Sequence, residues 1–223
     1  NFIYITIFNI FSIKMKKIKY ESPNALFGNG PCPTHPIVTD RLKSINTFFC
    51  VDGGADKLIT MGYNPDVILG DLDSIKKREK AYDSAIVYLE DQSKNDLEKS
   101  VCWCANQGVK ELELFGFSYG RDDDHLANLL IMKDFSDKVR MKMYTDKSLI
   151  FCINEHSTFL SKENQIVSIF TFTKKTKITT SGLKYTLKNS TLTCPSQGVS
   201  NLAIGSSFSV TPSDWTFIII NYM

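Results

Sequence analysis

Short apolar runs alternate with helical stretches between about residue 24 and residue 145, and this alternation is the strongest constraint on the fold. Strands linked by helices are typical of a mostly parallel sheet. The clearest helix begins at Asn95, whose side chain can cap free backbone amides, with Glu98 three residues on and Gly108 just beyond the helix. A second helix is predicted over residues 125–135. The candidate strands are residues 25–27, 47–51, 67–69, 85–89, 112–115 and 141–144.

After about residue 148 the pattern changes to short β-rich runs broken by glycines. The runs at residues 166–173, 177–180, 208–211 and 215–221 favour an antiparallel sandwich or barrel. We therefore predict an α/β fold, with a Rossmann-like, mostly parallel N-terminal sheet and flanking helices, followed by a C-terminal antiparallel β-sandwich. The predicted domains are residues 15–147 and 148–223. Because no long flexible linker separates them, we expect them to pack against each other.

Residues 1–13 form an apolar run that is too short to span a bilayer comfortably. Its basic neighbours, Lys16 and Lys17, follow the run rather than precede it, and no small-residue cleavage site is found, unlike in a signal peptide. We interpret residues 1–14 as an extension outside the fold, with Met15 as a candidate start. A membrane or organelle signal is the alternative.

The charge balance and the cysteines exclude several classes of protein. The 26 basic and 24 acidic residues are spread along the chain, so no broad basic surface for nucleic acid is indicated, and we predict neither a nucleic-acid nor a membrane partner. The six cysteines contain no C-x-x-C pair, and only three histidines could complete a zinc site. We therefore expect reduced thiols in a cytoplasmic protein.

The most informative stretch is N-P-D-V-I-L-G-D-L-D-S, residues 64–74, in which a strand runs into Gly70 and then presents Asp71 and Asp73. Residues two apart in extended backbone point to the same side, so both carboxylates can converge on one divalent ion. The carboxyl edge of an open α/β sheet is also where ligands bind. A D-x-D pair alone is equally compatible with aspartates in a surface turn.

Three other predicted strand ends carry polar or acidic groups, which suggests a shared cleft at one sheet edge. These are the stretches at residues 51–56, 90–92 and 116–124. Gly53 and Gly54 permit a tight turn or the close approach of a phosphate. Asp96 at a helix start is either a cap or a further metal carboxylate, and Arg121 either clamps a phosphate or forms a surface ion pair. Neither G-x-G-x-x-G nor a Walker-type motif occurs, which disfavours an ordinary dinucleotide fold or P-loop kinase.

Taken in order, these motifs resemble the thiamine pyrophosphokinase family over about residues 24–220. The matching stretches are D-G-G-A-D at 52–56, P-D at 65–66, G-D-L-D-S at 70–74, D-Q at 91–92, N-D at 95–96, G-R at 120–121 and L-A-N at 126–128. G-L-K-Y at 182–185 and V-S-N at 199–201 resemble motifs of that family's C-terminal β domain.

The resemblance implies a magnesium-dependent transfer of a diphosphoryl group from ATP, the co-substrate, to the hydroxyl of thiamine. It implies a homodimer with the thiamine site at the subunit interface. Its catalytic residues would be Asp71, Asp73, Asp96 and Arg121, the first three holding Mg²⁺. Its substrate and nucleotide contacts would be Asp52, Gly53, Gly54, Asp56, Gln92, Asp123, Tyr185, Ser200, Asn201 and Trp215.

Two positions depart from the family pattern. The family commonly has Arg-x-Asp-His, whereas here Arg121 is followed by three aspartates, so Asp123 takes the family aspartate and His125 is displaced by one residue. Asp56 stands where animal members often have Asn.

The proposed reaction has the thiamine hydroxyl attack the β-phosphorus of ATP, so the site must neutralise charge on several phosphate oxygens. Thiamine has a cationic thiazolium ring and a flat pyrimidine, which suit aromatic platforms such as Tyr185 and Trp215, although Trp215 also reads as a core residue. Two alternatives remain open. One is another magnesium enzyme, either a phosphohydrolase or a pyrophosphokinase for a different alcohol, and the other is a non-catalytic thiamine- or nucleotide-binding module.

Overall fold

The computed structural model describes residues 20–72, 82–118 and 120–223. Six parallel strands form the larger part of a ten-stranded sheet, in the order β6-β5-β1-β2-β3-β4. Apart from the edge strand β4, their apolar side chains are buried on both faces, as expected for parallel strands covered by helices. The strands are β1 (Asn24–Phe27), β2 (Thr47–Val51), β3 (Val67–Gly70), β4 (Ala85–Tyr88), β5 (Glu111–Phe115) and β6 (Arg140–Tyr144).

The helices of the described chain connect these strands. They are α1 (Pro36–Leu42), α2 (Gly54–Thr60), α3 (Asp96–Asn106) and α4 (Asp122–Asp134). Helix α3 begins as predicted, since Asn95 Oδ1 accepts a hydrogen bond from Glu98 N at 2.9 Å. Its buried residues Leu97, Val101 and Cys104 recur at helical spacing and pack on the same core cluster as β2 and β3.

Helix α4 begins three residues earlier than the predicted start at residue 125. The preceding residue, Arg121, is extended, and Asp122, Asp123 and Asp124 form the first helical turn. Negative side chains are stabilised at that end of a helix by the exposed backbone amides, which explains why the acidic run is helical.

The remaining strands are antiparallel and complete a sandwich. Strands β7 (Ser148–Ile153), β14 (Thr216–Asn221), β9 (Ile166–Thr171) and β12 (Asn201–Leu202) extend the large sheet beyond β6. A second sheet has the order β11-β10-β13-β8, from β11 (Ser190–Thr191), β10 (Lys177–Ser181), β13 (Ser207–Pro212) and β8 (Ser157–Leu160). Apolar side chains of both sheets, including Ile169, Ile178, Phe208 and Ile218, form the core between them. The predicted fold class is confirmed.

The large sheet continues without a break from the parallel part into the sandwich. Lys142 of β6 pairs with Phe151 of β7, which in turn pairs with Ile218 of β14. The predicted domain division at 147/148 lies in the short connection between β6 and β7, and it stays a prediction.

The chain order creates a crevice at the carboxyl edge of the parallel strands. From β1 the chain moves outward through β2, β3 and β4, and it then returns to the other side of β1 to form β5 and β6. The connections after β1 and β5 therefore leave in opposite directions, and such a switch point is where open α/β sheets bind ligands. None of the helices in the described ranges is long and apolar enough to cross a membrane.

Candidate active site

The predicted acids lie along the carboxyl edge of the parallel strands. Asp52 directly follows β2 and Asp71 directly follows β3, while Gln92 lies in the connection that leads from β4 to Asp96 at the start of α3. Because β2, β3 and β4 are parallel and adjacent, these side chains come from one edge of the sheet. Asp73 lies outside the described residues.

Asp52 is a buried residue that links the end of β2 to β3 and the loop after it by hydrogen bonds. The residue is 3% exposed and has a left-handed backbone with φ of 42°. Its N–H donates to Leu69 O at 3.1 Å, and its Oδ1 accepts from Leu72 N at 2.9 Å. These bonds fix the loop that carries Asp71, so Asp52 positions the neighbouring acid.

Gly70 is required where Asp52 meets the end of β3. Its φ is 150°, and a Cβ added there would lie 1.9 Å from Asp52 Oδ1. No residue with a side chain leaves room for the Asp52 carboxylate at this point, so packing requires the glycine that precedes Asp71.

Asp71 and Asp96 are both partly accessible to solvent. Asp71 Oδ2 accepts a hydrogen bond from Gln92 Nε2 at 3.1 Å, which brings two of the predicted residues together. The side chain of Asp96 is 48% exposed. In residues 20–72, 82–118 and 120–223, no three His, Cys, Asp or Glu side chains are grouped closely enough to hold a metal ion. The carboxylate oxygens of Asp71 and Asp96 are nevertheless hard donors of the kind that Mg²⁺ prefers, and Mg²⁺ commonly takes only one or two carboxylates besides water and phosphate.

A buried lysine accompanies these acids and was missed at the sequence level. Lys99 Nζ lies 2.8 Å from Asp96 Oδ1, and the lysine side chain is only 4% exposed. Burial acts to lower the pKa of Lys99, but the hydrogen bond from Lys99 to Asp96 and the charges of Asp96, Asp71 and Asp52 raise it above its ordinary value. The ammonium group is therefore held charged beside the acids.

The start of α3 is also tied to the loop after β5. Asn95 Nδ2 donates to Asn128 Oδ1 at 3.2 Å, and Asn128 Nδ2 donates to Phe117 O at 3.1 Å. Asn128 is 8% exposed on α4. The L-A-N motif at residues 126–128 thus has a structural task, because its asparagine holds the entrance of α3 against the connection that precedes Arg121.

Arg121 and Asp123 form an ion pair at the surface. Arg121 Nε donates to Asp123 Oδ1 at 3.0 Å, and the two side chains are 77% and 64% exposed. Each partner shifts the other, since the pKa of Arg121 is raised and that of Asp123 is lowered by their hydrogen bond. Exposed pairs of this kind contribute little to stability, so the guanidinium remains available to phosphate. His125 Nδ1 is buried and lacks a hydrogen-bond partner in the described part of the chain.

Of the two glycines after Asp52, the second is required by close packing. Gly53 has ordinary helical angles, whereas a Cβ on Gly54 would lie 2.7 Å from Phe27 O at the end of β1. Gly54 therefore lets α2 lie close to the β1 backbone, and the predicted contact of the two glycines with phosphate stays a prediction. Asp56 accepts a hydrogen bond from the Tyr82 hydroxyl at 2.8 Å.

A second glycine cluster, also missed in the sequence, lines the switch point. Gly28 N donates to Phe115 O at 2.8 Å and Gly30 N donates to Gly116 O at 2.9 Å, so the loops after β1 and β5 are in direct contact. Lys57 donates to Gly30 O at 2.8 Å and also to the neighbouring Asn29 O. The signal was the G-N-G at residues 28–30 directly after the first strand.

The residues predicted in the β-sandwich lie elsewhere. Tyr185 N donates to Asn201 Oδ1 at 3.0 Å, and Asn201 Nδ2 donates to Tyr185 O at 2.7 Å, so Asn201 fixes the backbone that presents Tyr185. The Tyr185 ring is exposed. Ser200 N donates to Ser168 Oγ at 3.1 Å. Trp215 lines a cavity of about 1010 Å³ together with Phe151 and other residues.

Within a single chain, the predicted residues of the β-sandwich lie far from the acids of the parallel sheet. Strand β12, which begins at Asn201, is eight strand positions from β3 in the sheet order, which is roughly 38 Å measured across the sheet. Trp215 precedes β14, which runs parallel to β6, so it lies at the edge opposite the acids. The two predicted groups therefore occupy separate places on a single chain.

The fold and the acids at the carboxyl edge of the parallel strands together define a class of enzyme-like proteins. In this class a doubly wound α/β unit, with acids at its carboxyl edge, is joined to a β-sandwich. Two family models match the chain. The thiamin pyrophosphokinase catalytic domain matches residues 38–145, and the thiamin pyrophosphokinase vitamin B1 binding domain matches residues 153–212. Together they span most of the chain, which belongs to the thiamin pyrophosphokinase family. The resemblance predicted from the motifs is confirmed.

Known relatives agree with this assignment. The chain is 25% identical over 177 residues to thiamine pyrophosphokinase of Bacillus subtilis, an alignment of 75% of this chain and 83% of that protein. It is 28% identical over 189 residues to thiamine pyrophosphokinase 1 of Oryza sativa subsp. japonica, covering 70% of each. The crystal structure of the Bacillus subtilis enzyme matches its fold with a TM-score of 0.76 at 23% identity, over 90% of this chain and 98% of that one. The Candida albicans enzyme matches with a TM-score of 0.75 at 18% identity, over 90% of each chain.

Proposed function

We propose that this chain is a thiamine pyrophosphokinase, which transfers the diphosphoryl group of ATP to the hydroxyl of thiamine and gives thiamine diphosphate and AMP. The observation that carries the proposal is that both family domains are present in order and that Asp52, Asp71 and Asp96 lie along the ligand-binding edge of the first. The hydroxyl oxygen forms a bond to the β-phosphorus, the bond from that phosphorus to the oxygen bridging to AMP breaks, and the hydroxyl loses its proton.

Asp71, Asp73 and Asp96 are the residues that would hold Mg²⁺. When bound, the ion neutralises charge on the phosphate oxygens of ATP. Asp52 keeps the Asp71 loop in place through the bond to Leu72 N, and Gln92 orients the Asp71 carboxylate. These contacts are made by the protein alone, so the acidic edge is preorganised for the reaction.

We place ATP in the crevice between the loops after β1 and β5. Gly28, Gly30 and Gly116 have no side chains, and this already allows the backbones of the two loops to contact each other. The same lack of side chains would let these backbones come close to a bound ligand. Arg121 follows the β5 loop and is highly exposed, so its planar guanidinium can exchange Asp123 for phosphate oxygens. The guanidinium would then stabilise negative charge that develops during transfer.

We further propose that the enzyme is a homodimer and that thiamine binds where two subunits meet. The support is the separation of the acids from Tyr185, Ser200, Asn201 and Trp215 within one chain. A second copy would have to supply one of the two groups if both contact the same thiamine. Sedimentation at micromolar concentration should give twice the 25.2 kDa chain mass, and a fully active monomer would contradict the shared site.

A cytoplasmic location is proposed from the cysteines. All six have free thiols, including the exposed Cys194. Thiols persist in reducing compartments, whereas small exported proteins tend to form disulfides.

The reaction is tested by incubating the purified protein with thiamine, ATP and Mg²⁺ and identifying both products by chromatography and mass. We expect thiamine diphosphate and AMP in equal amounts. Formation of ADP with thiamine monophosphate, or of free phosphate alone, would instead indicate a kinase or a hydrolase. Thiamine binding without turnover would indicate a binding module.

A further inference from the structure

Lys99 is buried on α3 although it does not belong to the apolar face of that helix. It is two residues from both Leu97 and Val101, so its side chain leaves α3 on a different side from the apolar face that packs over β2 and β3. Removing an ammonium group from water is costly unless opposite charge compensates it. The compensation comes from Asp96 at 2.8 Å and from the nearby charges of Asp71 and Asp52.

The Lys99 contact also restricts Asp96. Asp96 precedes Lys99 by three residues, so the two side chains meet on one side of the first turn of α3. Lys99 engages Oδ1, and the Asp96 side chain remains 48% exposed. A carboxylate with one oxygen held by a buried, ordered cation has its other oxygen turned to a defined direction in the cleft.

We propose that Lys99 is a positioning residue for diphosphoryl transfer, which orients the Asp96 carboxylate and balances the negative charge of the acidic edge. This inference rests on the proposed function, since it assigns Asp96 to that reaction. Lys99 acts through Asp96 rather than on the substrate. It differs in this way from an ordinary helix-surface ion pair, which is exposed and stabilises only its helix.

The test is a double-mutant cycle in the full chain, with kcat and KM for ATP and thiamine measured for Lys99→Met, Asp96→Asn and the double variant. We expect Lys99→Met to lower kcat/KM by roughly 10- to 100-fold, as is typical when a group that orients a reacting or metal-binding residue is removed. In the Asp96→Asn background the same change should cost less than about threefold, because the carboxylate it orients is already lost. Mass detection of thiamine diphosphate over long incubations keeps turnover measurable across losses of about 10³.

Folding is monitored by thermal unfolding. Met is close to Lys in shape, and the Asp96 carboxylate can be hydrated after the change, so we expect Lys99→Met to remain folded with little loss of stability. Lys99→Gln is the second variant if Met does not fold. Lys94→Met is the matched control, because Lys94 is near the same helix start but is 39% exposed and lies 3.6 Å from Asp91. It should leave kcat/KM unchanged.

The outcomes separate this inference from the function on which it rests. Equal losses from Lys99→Met in both backgrounds, or none in either, would overturn the positioning role. Asp71→Asn is measured alongside. If Asp71→Asn keeps normal turnover, the proposed acidic site itself is wrong. If Asp71→Asn is inactive while Lys99→Met matches the wild type, only the role of Lys99 is wrong.

Discussion

Substituting Gly70 by Ala should destabilise the protein far more than an average Gly→Ala change. The new Cβ would lie 1.9 Å from Asp52 Oδ1 and 2.4 Å from its Cγ, so the carboxylate must move and release Leu72 N. The residue would also keep an unfavourable φ of 150°. Backbone strain costs about 1–3 kcal/mol and the lost bond to a charged acceptor about 1.5–3 kcal/mol, so we expect about 2.5–6 kcal/mol in total.

Two other glycines supply matched controls for this substitution. Gly62 has φ of 88° with nothing within 4 Å of an added Cβ, so Gly62→Ala should cost only about 1 kcal/mol of backbone strain. Gly205 has open space and no left-handed angle, so Gly205→Ala should stay within about 0.5–1 kcal/mol of the wild type.

The assay is urea and thermal unfolding of the three variants, together with kcat/KM. For a chain of this size the expected loss at Gly70 lowers Tm by roughly 5–24 °C. Activity should fall as well, because the displaced Asp52 carboxylate no longer holds the loop that carries Asp71. If Gly70→Ala were no less stable than Gly62→Ala, the close packing of Gly70 against Asp52 would be refuted.

Three further changes have defined outcomes. Asp71→Asn should lower kcat/KM at least about 100-fold with Tm nearly unchanged, since the side chain is partly exposed; near-normal turnover would contradict its role. Asn128→Ala should lower the free energy of unfolding, measured in urea, by about 1–3 kcal/mol, because Phe117 O loses a buried hydrogen-bond donor. An unchanged urea midpoint would argue against a stabilising role for the Asn128 contact. The pKa of Glu113 is lowered by Arg41 and Lys142 despite its burial, so its stabilisation is present above the ordinary pKa of a glutamate and is lost as pH falls through the lower folded value. Glu113→Gln should therefore flatten the loss of stability measured below about pH 4.5, and an unchanged acid-unfolding curve would contradict the shift.

The succession of helices and strands could be predicted from the sequence because the signals for it are local. The N-cap at Asn95, the glycine at residue 108 and the buried strand before Asp71 each act over a few residues, and each lies where it was predicted. Helix α4 begins before the predicted residue 125 because the acidic residues Asp122, Asp123 and Asp124 form its first turn, where exposed backbone amides favour negative side chains.

The missed features depend on contacts between distant parts of the chain. In the sequence Lys99 looks like an ordinary helix residue, and its closeness to Asp71 and Asp52 depends on the position of α3 against β2 and β3. The contact of Gly28 and Gly30 with Gly116 requires β1 and β5 to be neighbours, which local patterns do not reveal. The separation of Trp215 from the acids likewise follows from strand order and direction.

The shared site is tested most directly by mixing two inactive variants. One carries Asp71→Asn, and the other carries Tyr185→Ala with Trp215→Ala. Random exchange of subunits in a twofold dimer makes half of the dimers mixed, each with one intact site of two, so about a quarter of wild-type activity should return. A mixture of Asp71→Asn with Asp96→Asn, which both alter the acidic edge, should regain nothing. If the first mixture is no more active than its components, the acids and the β-sandwich residues do not form one site across two subunits.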